Sequence, residues 1–365
     1  MKIALFFSYY ETYIKSLYAE DIYLSKLPYK QQLARILADN FSWPAALCQR
    51  LEDMGCEVEI IINVESLQRA WALENGYEFD PENWRYTIPC EQVKRFSPDI
   101  MWIGSMFKYF GDFLKEIKPY CHQIFAWTAC PIPKSLDLSN IDCMLTSHAN
   151  YQSFFKAQGK AVEILLPCFE ESILATSGIE DRDVDCSFVG GLSWIHIERI
   201  NVIKTLADRT PIQIWSDYPK LISRGILQPN FWNAYLKLRS IKARINPSVW
   251  GMEMYRVLAR SKITVNVHAE VASGLAGNIR MFEAPGMGAL LLTEDAPNMR
   301  ELYEPEKEVI TYKSPEHLVE LINYYTDRPE ERAAIAKAGQ IRTLKDHSTV
   351  QRSKELIEIF SRYLK

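Results

Sequence analysis

Short runs of apolar residues alternate with amphipathic segments through most of the chain. Apolar runs of about four to eight residues are typical of strands buried on both faces of a parallel sheet. In the first half they predict strands at Lys2–Ser8, Glu57–Ile62, Ile100–Gly104, His122–Trp127, Cys143–Ser147 and Ala161–Leu166. The alternation resumes with strands at Cys186–Gly190, Ile212–Trp215, Ile263–His268, Ala289–Thr293 and Glu308–Tyr312. The pattern therefore predicts an α/β protein with two successive parallel sheets.

The two series of strands are separated by a turn-rich, acidic stretch without a periodic apolar face. We predict an N-terminal domain over residues 1–170, a linker at 171–184 and a second domain over 185–348. The last segment, residues 349–365, has an apolar stripe that includes Leu356 and Phe360. It predicts an amphipathic helix that must dock on one of the domains.

Composition narrows the class of protein further. The 365 residues carry a formal net charge of −4 with no long block of one sign, which argues against a general nucleic-acid-binding protein. The eight cysteines are scattered without a CxxC pair, which is typical of free thiols in a reducing compartment. The sequence has neither a recognisable secretory signal nor an apolar stretch long enough to span a membrane. We therefore expect a cytoplasmic protein.

A first candidate for chemistry follows the first strand of the second domain. Gly190 and Gly191 allow close backbone approach, and Ser193 offers a hydroxyl. In parallel α/β sheets, ligands bind at the carboxyl ends of the strands, often with a phosphate at the following helix. The alternative is a tight strand-to-helix turn that binds no ligand.

A second candidate follows the strand that ends at His268. A glycine-bearing loop, Ala272–Asn278, leads into a short helix that Asn278 is expected to cap. Arg280 can bind a diphosphate through charge-assisted hydrogen bonds, and Glu283, one turn away, can accept from two ribose hydroxyls. The alternative is a surface ion pair between Arg280 and Glu283, which would contribute little.

The second half also resembles a known family of enzymes. The resemblance is carried by Ser261-Lys262-Ile263, Asn266, Asn278–Ala284 and Gly288–Thr293, and it continues in Glu301–Tyr303, Glu308–Ile310 and Asp327–Arg332. Asp185–Gly190 resembles the opening of the same domain. These motifs resemble glycosyltransferases of the GT-B fold, and more narrowly the CgeB-like branch of the group 1 glycosyltransferases.

The resemblance implies two Rossmann-like domains facing a cleft, with the C-terminal helix crossing back to the first domain. It implies that Glu283 holds the donor ribose, with Asn278, Arg280 and the Gly190-Gly191 pair near the diphosphate. Many retaining members have a second glutamate eight positions before the ribose glutamate. This chain has Leu275 there, so retention or inversion stays open.

The acceptor side is less well defined. Six of the nineteen tyrosines fall between Tyr9 and Tyr29, after the first strand, where they either bind an acceptor or form a flap over their own domain. Glu11 and His148 are candidate catalytic bases, the alternative for His148 being a loop histidine with a structural role.

Two further features concern partners and metals. Residues 220–244 combine six basic residues with Phe231, Trp232 and Tyr235, which indicates an anionic acceptor site, a peripheral membrane contact or a solvated helical excursion. The histidines lack metal-site spacing, and Asp181, Asp183 and Asp185 lie before a strand. We therefore expect neither metal nor cofactor.

Together with these features, the resemblance implies a glycosyltransferase. We expect it to move a sugar from a UDP-, GDP- or dTDP-sugar to a hydroxyl-bearing acceptor, with a role in polysaccharide biosynthesis. The alternatives are a sugar-nucleotide epimerase of the same fold and a non-catalytic protein that binds sugar nucleotides or glycans.

Overall fold

The chain divides into two compact units. A computed structural model describes residues 1–104, 111–133, 135–176, 181–217, 231–268 and 274–364. Unit 1 comprises Met1–Leu166 with Thr349–Lys365, and unit 2 comprises Pro167–Ser348. The C-terminal helix is thus part of unit 1, whereas the predicted linker at 171–184 lies in unit 2. There, the Phe169 amide donates to the carbonyl oxygen of His347 (2.9 Å).

Unit 1 is built on a parallel sheet of six strands in the order β2-β1-β3-β4-β5-β6. Its strands are β1 (Lys2–Phe7), β2 (Glu57–Ile62), β3 (Ile100–Ile103), β4 (Gln123–Trp127), β5 (Cys143–Thr146) and β6 (Ala161–Ile164). Its helices are α1 (Glu11–Glu20), α2 (Tyr29–Leu37), α3 (Trp43–Asp53), α4 (Glu65–Glu74), α5 (Trp84–Phe96), α6 (Asp112–Ile117), α7 (Ala149–Lys156) and the C-terminal α16 (Thr349–Tyr363). Helix α16 packs on α3, and its Phe360 ring lies 4.8 Å from that of Phe125 on β4.

Unit 2 repeats the arrangement with the strand order β12-β11-β10-β7-β8-β9, again all parallel. Its strands are β7 (Val184–Val189), β8 (Gln213–Trp215), β9 (Ile245–Asn246), β10 (Ser261–Asn266), β11 (Leu290–Glu294) and β12 (Ile310–Tyr312). Its helices are α8 (Ile173–Thr176), α9 (Ile197–Arg209), α10 (Phe231–Ser240), α11 (Gly251–Arg260), α12 (Arg280–Gly286), α13 (Met299–Leu302), α14 (Pro315–Thr326) and α15 (Pro329–Asp346). The predicted pair of parallel α/β sheets is confirmed.

The amphipathic pattern over residues 31–54 predicts one helix, but the chain forms two helices there, α2 and α3. The chain turns between α2 and α3, where Asn40 has a positive φ of 52°. The Ser42 hydroxyl accepts from the Ala45 amide at the start of α3, and Pro44 occupies its first turn. Apolar periodicity continues across this break, which explains why the pattern alone does not reveal it.

The tyrosine-rich segment after β1 forms part of the core of unit 1. Tyr13 and Tyr29 are buried, and the Tyr18 hydroxyl donates to Gln32 Oε1 (2.9 Å). Tyr10 and Tyr23 are exposed. The segment forms helix α1 and a following short turn, so most of the cluster stabilises its own unit rather than presenting a continuous surface to an acceptor.

Candidate functional site

Two polar side chains lie side by side at the carboxyl edge of the unit 2 sheet. Asn266, the last residue of β10, is in register with Thr293 of β11. Its amide nitrogen Nδ2 donates to Thr293 Oγ1 (3.1 Å), and both side chains are buried. His268 Nε2 lies 3.3 Å from the same hydroxyl. The pair therefore forms a polar floor where ligands of parallel sheets bind.

Asn278 extends this polar floor rather than capping the next helix. Its Nδ2 donates to Asn266 Oδ1 (2.9 Å). Helix α12 begins at Arg280 and has Ile279 in the cap position, without a side-chain cap bond. The predicted cap is thus wrong, because the buried amide of Asn266 is a better partner for Asn278 than the helix amides.

Arg280 and Glu283 form an ion pair, Nη1 to Oε2, at 2.8 Å. Their side chains are only 13% and 7% exposed, so the alternative of a surface pair is excluded. The Tyr255 hydroxyl of α11 donates to Glu283 Oε1 (3.0 Å), and Arg280 Nη2 lies 3.2 Å from Met254 Sδ. Burial, with the neighbouring Glu283, raises the pKa of Tyr255 well above its usual value of 10.0. Tyr255 therefore stays protonated and orients the carboxylate.

Several buried polar atoms of this cluster have no hydrogen-bond partner among the described residues. They are Asn278 Oδ1, Arg280 Nε, Arg280 Nη1 and Glu283 Oε2. The contact between Arg280 and Glu283 is close but is not aligned as a hydrogen bond. A buried polar group without a partner costs about 1–3 kcal/mol. The cluster is therefore suited to a ligand that offers both hydroxyl groups and anionic oxygens.

The glycine turn after β7 lies at the same edge of the sheet. The Gly190 amide donates to the Trp215 carbonyl (3.1 Å), and a Cβ at Gly190 would lie 3.1 Å from the Phe188 ring. Gly191 is open, with no atom within 4 Å of an added Cβ. Ser193 Oγ accepts from the Ile195 amide (3.4 Å), so its hydroxyl is used within the turn.

Arg199 fixes this turn and was not singled out from the sequence. Its Nη1 donates to the Gly191 carbonyl (3.2 Å) and its Nη2 to the Val267 carbonyl (3.0 Å). The guanidinium thus ties the turn after β7 to the residue that follows β10. The position of Arg199 on α9, soon after the glycine pair, is the only sequence signal for this contact.

The two candidate bases of unit 1 have different surroundings. His148 follows β5, is only 3% exposed, and its Nδ1 has no hydrogen-bond partner in the described part of the chain. Burial lowers its pKa below the usual 6.5, so the ring is neutral at neutral pH. Glu11 is the first residue of α1 and is exposed. His148 is thus a buried, neutral imidazole and Glu11 a surface carboxylate, and both stay predictions as catalytic bases.

Asp183, just before β7, and Asp185, within it, are held in ion pairs. Asp183 accepts from Arg260 Nε (2.7 Å) and Nη2 (2.6 Å), and Asp185 accepts from Lys262 Nζ (2.6 Å). No group of three or more His, Cys, Asp or Glu side chains in the described ranges is arranged to hold a metal ion. Among the same residues, no helix is long and apolar enough to cross a membrane.

Part of two sequence predictions lies outside the described residues. Ala272 and Ser273 of the predicted glycine-bearing loop lie outside the described residues, and so do Lys220 and Arg224 of the basic segment. The basic segment continues in the described helix α10 and in the turn that follows it.

The architecture and the sequence both point to one class of protein. Residues 199–358 match the profile of a family described as glycosyl transferase-like. No curated protein matches the chain. A glycosyltransferase from Rickettsia africae is similar in structure, with a TM-score of 0.61 at 12% identity over 100% of this chain and 98% of that chain. The fold is therefore that of the GT-B glycosyltransferases.

Other solved structures agree with this assignment of the fold. Anabaena HepE in complex with UDP-glucose has a TM-score of 0.59 at 13% identity, over 99% of this chain and 100% of that chain. Sucrose-phosphate synthase from Thermosynechococcus elongatus has a TM-score of 0.57 at 10% identity, over 99% of this chain and 98% of that chain. The predicted resemblance to GT-B glycosyltransferases is confirmed for the fold, and the match to the glycosyl transferase-like family covers residues 199–358. The narrower CgeB-like assignment stays a prediction.

Proposed function

We propose that the protein transfers a sugar from a nucleoside diphosphate sugar to a hydroxyl group of an acceptor. The observation that carries the proposal is the cluster of buried polar atoms on Asn278, Arg280 and Glu283 that have no hydrogen-bond partner among the described residues. A ribose hydroxyl pair satisfies the carboxylate, and a diphosphate satisfies the guanidinium. Anabaena HepE, which is similar in fold, was crystallised with UDP-glucose.

The same residues supply the chemistry that the departure of a nucleotide requires. As the bond to the sugar breaks, negative charge develops on the diphosphate. Arg280 is held in place by Glu283 and Met254, so it stabilises this charge without reorganising. Gly191, the exposed residue of the turn after β7, lies at the same edge of the sheet.

We propose that the reaction needs no divalent metal. Asp181, Asp183 and Asp185 form two overlapping DxD patterns that share Asp183. Asp183 and Asp185 are already engaged by Arg260 and Lys262, so neither pattern fits a metal-binding pair. Arg280 takes the role of neutralising the diphosphate. Turnover that is unchanged by EDTA supports this part of the proposal, and turnover abolished by EDTA and restored by Mg²⁺ or Mn²⁺ contradicts it.

The first test is thermal unfolding in the presence of UDP, GDP, dTDP, ADP and CMP and their sugar conjugates. A ligand that binds only the native state raises the midpoint in proportion to the logarithm of its concentration. We expect a selective shift with one nucleoside diphosphate, followed by slow release of free sugar from its conjugate. No shift with any nucleotide contradicts the proposed donor site, and conversion of the donor sugar without transfer indicates an epimerase.

We predict that His148→Gln lowers turnover about 100-fold or more while nucleotide affinity is unchanged. A positioned general base contributes about 10²–10⁴ in rate, and Gln cannot take up the acceptor proton. Release of sugar from the donor identified above is measured against pH. Because burial lowers the pKa of His148, wild-type activity falls only below the usual histidine range, and the variant lacks this acidic limb.

The same variant has a readout in stability. The unfolded state binds a proton at His148 more readily than the native state, so native stability falls as pH drops below about 6.5. His148→Gln removes this contribution. His122→Gln, which changes an exposed histidine of unit 1, is the matched control, and Glu11→Gln tests the other candidate base. Equal activity of His148→Gln and His122→Gln excludes the catalytic role.

We predict that Arg199→Met raises the KM for the donor about tenfold with little change in kcat. The variant loses both hydrogen bonds that anchor the glycine turn, so binding must first order this turn. Steady-state kinetics with the identified donor give both constants. Arg209→Met changes an exposed arginine on the same helix and serves as the control. Identical KM values for the two variants contradict the positioning role.

We also propose that the protein works in a reducing compartment, as the sequence predicts. All eight cysteines are free in the structure, and six of them are buried. Burial raises the pKa of the Cys90, Cys121 and Cys143 thiols to about 12, so these thiols are unreactive at neutral pH.

A further inference from the structure

Helix α10 presents an exposed apolar surface on unit 2. Trp232 and Leu236 are one turn apart and are 55% and 60% exposed. Arg239 continues the same side of the helix, and Lys242 follows in the next turn; both are exposed. We call Trp232, Leu236, Arg239 and Lys242 the α10 face. We propose that this face binds the surface of an anionic lipid membrane.

The helix is firmly attached to unit 2, so its exposed side chains are held in place. Phe231, Ala234 and Leu238 are buried, and the latter two belong to the main core of the unit. Lys237 Nζ contacts Asn201 Oδ1 in the middle of α9, and Arg244 Nη1 donates to the Thr210 carbonyl (3.0 Å) just beyond it. The α10 face therefore needs no refolding to bind a surface.

The charge of this region is of one sign. Residues 231–244 contain four basic residues and no acidic residue, whereas the whole chain has a net charge of −4. The acidic side chains of the adjacent helix α9 are engaged locally: Asp208 contacts Lys204, and Glu198 Oε2 accepts from Asn201 Nδ2 (3.3 Å). Basic residues near an anionic lipid surface each contribute about 1 kcal/mol to binding.

The apolar members of the face favour a lipid surface over a nucleic acid. The phosphates of a nucleic acid would bind Arg239 and Lys242, but they would leave Trp232 and Leu236 exposed to water. At a membrane interface, an indole ring and an aliphatic side chain enter the boundary of the acyl chains while cations stay among the headgroups. A helix of ten residues has too little apolar area to bind firmly by itself. Binding to the membrane therefore depends on both the apolar side chains and the basic residues. It is peripheral and sensitive to salt.

The test is sedimentation of the full chain with sucrose-loaded vesicles. One set contains phosphatidylcholine alone, and the other contains phosphatidylcholine with about one third phosphatidylglycerol. We expect binding only to the anionic vesicles, with loss at high salt. One double variant, Trp232→Ser with Leu236→Ser, removes the apolar side chains of the α10 face. A second, Arg239→Glu with Lys242→Glu, reverses two of its charges. Each removed charge lowers the partition coefficient about fivefold, so the charge-reversed variant binds at least 25-fold more weakly.

Matched controls distinguish an effect of the α10 face from the general effect of changing an exposed apolar residue or the net charge of the protein. Leu73→Ser changes a residue on α4 that is 82% exposed, and Lys156→Glu with Lys354→Glu makes the same change in net charge on unit 1. We expect both controls to bind like the wild type. The proposal is overturned by equal binding to both vesicle types, by no binding, or by equal losses in variants and controls. A concentration-dependent dimer in light scattering that Trp232→Ser abolishes also overturns it, since the face is then a protein interface.

Discussion

Glu283→Gln is expected to weaken nucleotide binding about 10- to 100-fold while leaving the fold intact. The carboxylate oxygen Oε1 is held by the Tyr255 hydroxyl, whereas Oε2 has no hydrogen-bond partner among the described residues. Hydrogen bonds that involve a charged group are worth about 1.5–3 kcal/mol, and a neutral amide forms weaker ones with ribose hydroxyls. Calorimetric titration with the nucleoside diphosphate that stabilises the wild type measures the loss directly.

Glutamine is chosen because Glu283 also has a structural role. Removing one partner of a buried ion pair leaves the other charge uncompensated, which costs about 3–5 kcal/mol. Glu283→Ala would remove the partner of Arg280 and the acceptor for Tyr255 together, so a loss of binding could reflect unfolding. Glutamine also removes the negative charge that faces Arg280, but it keeps the volume and an acceptor for Tyr255, and the unfolding midpoint without ligand reports the structural effect that remains.

Two further variants complete this experiment. Tyr255→Phe removes the hydrogen bond that orients the carboxylate but keeps its charge, so we expect a smaller loss of affinity, about fivefold to tenfold. Glu253→Gln changes an exposed glutamate of α11 and serves as the control. If Glu283→Gln and Glu253→Gln bind the nucleotide equally well, the ribose role is wrong and Glu283 is a structural partner of Arg280.

The strands were predictable because buried parallel strands have a simple sequence pattern. The run around Leu290 is continuous and apolar, whereas the run around Ile263 alternates apolar with polar residues, and both strands lie within two residues of the predicted bounds. Strand β9 was missed because it has only two residues, Ile245–Asn246, within a long and largely polar segment. Pairing with β8 defines it, and that contact leaves no periodic pattern in the sequence.

The candidate site was predictable only where its contacts are local. Arg280 and Glu283 are three positions apart on a helix, so their proximity follows from the helical repeat. Their burial does not follow from this spacing, because it depends on Met254 and Tyr255 of α11. The contacts of Arg199 with Gly191 and of Asn278 with Asn266 likewise join separate segments. Such contacts become visible only when the order and register of the strands are known.

Arg182→Met is expected to lower the thermal unfolding midpoint by about 6–12 °C. The Arg182 guanidinium donates to four carbonyl groups, two of which belong to residues of α11 and two to residues just beyond α11 and α12. The acceptors are Leu258 (3.5 Å), Ala259 (2.7 Å), Ser261 (2.7 Å) and Met287 (2.8 Å). Methionine fills similar space but leaves these carbonyls without their cationic donor, at a cost of about 3 kcal/mol. For a unit of this size, each kcal/mol shifts the midpoint by about 2–4 °C.

The Arg182 guanidinium is closely packed against the backbone at Gly288. Gly288, which follows the Met287 carbonyl, has a φ of 74°, and a Cβ there would lie 2.7 Å from Arg182 Nη2. Arg260→Met is the matched control. Arg260 pairs with Asp183, which is next to Arg182 in the sequence, but this ion pair lies at the exposed surface. We expect a shift of less than about 3 °C there, since exposed ion pairs contribute about 0–1 kcal/mol. Equal shifts for the two variants in differential scanning calorimetry would show that Arg182 acts as a surface charge rather than as a partly buried link between helices α11 and α12.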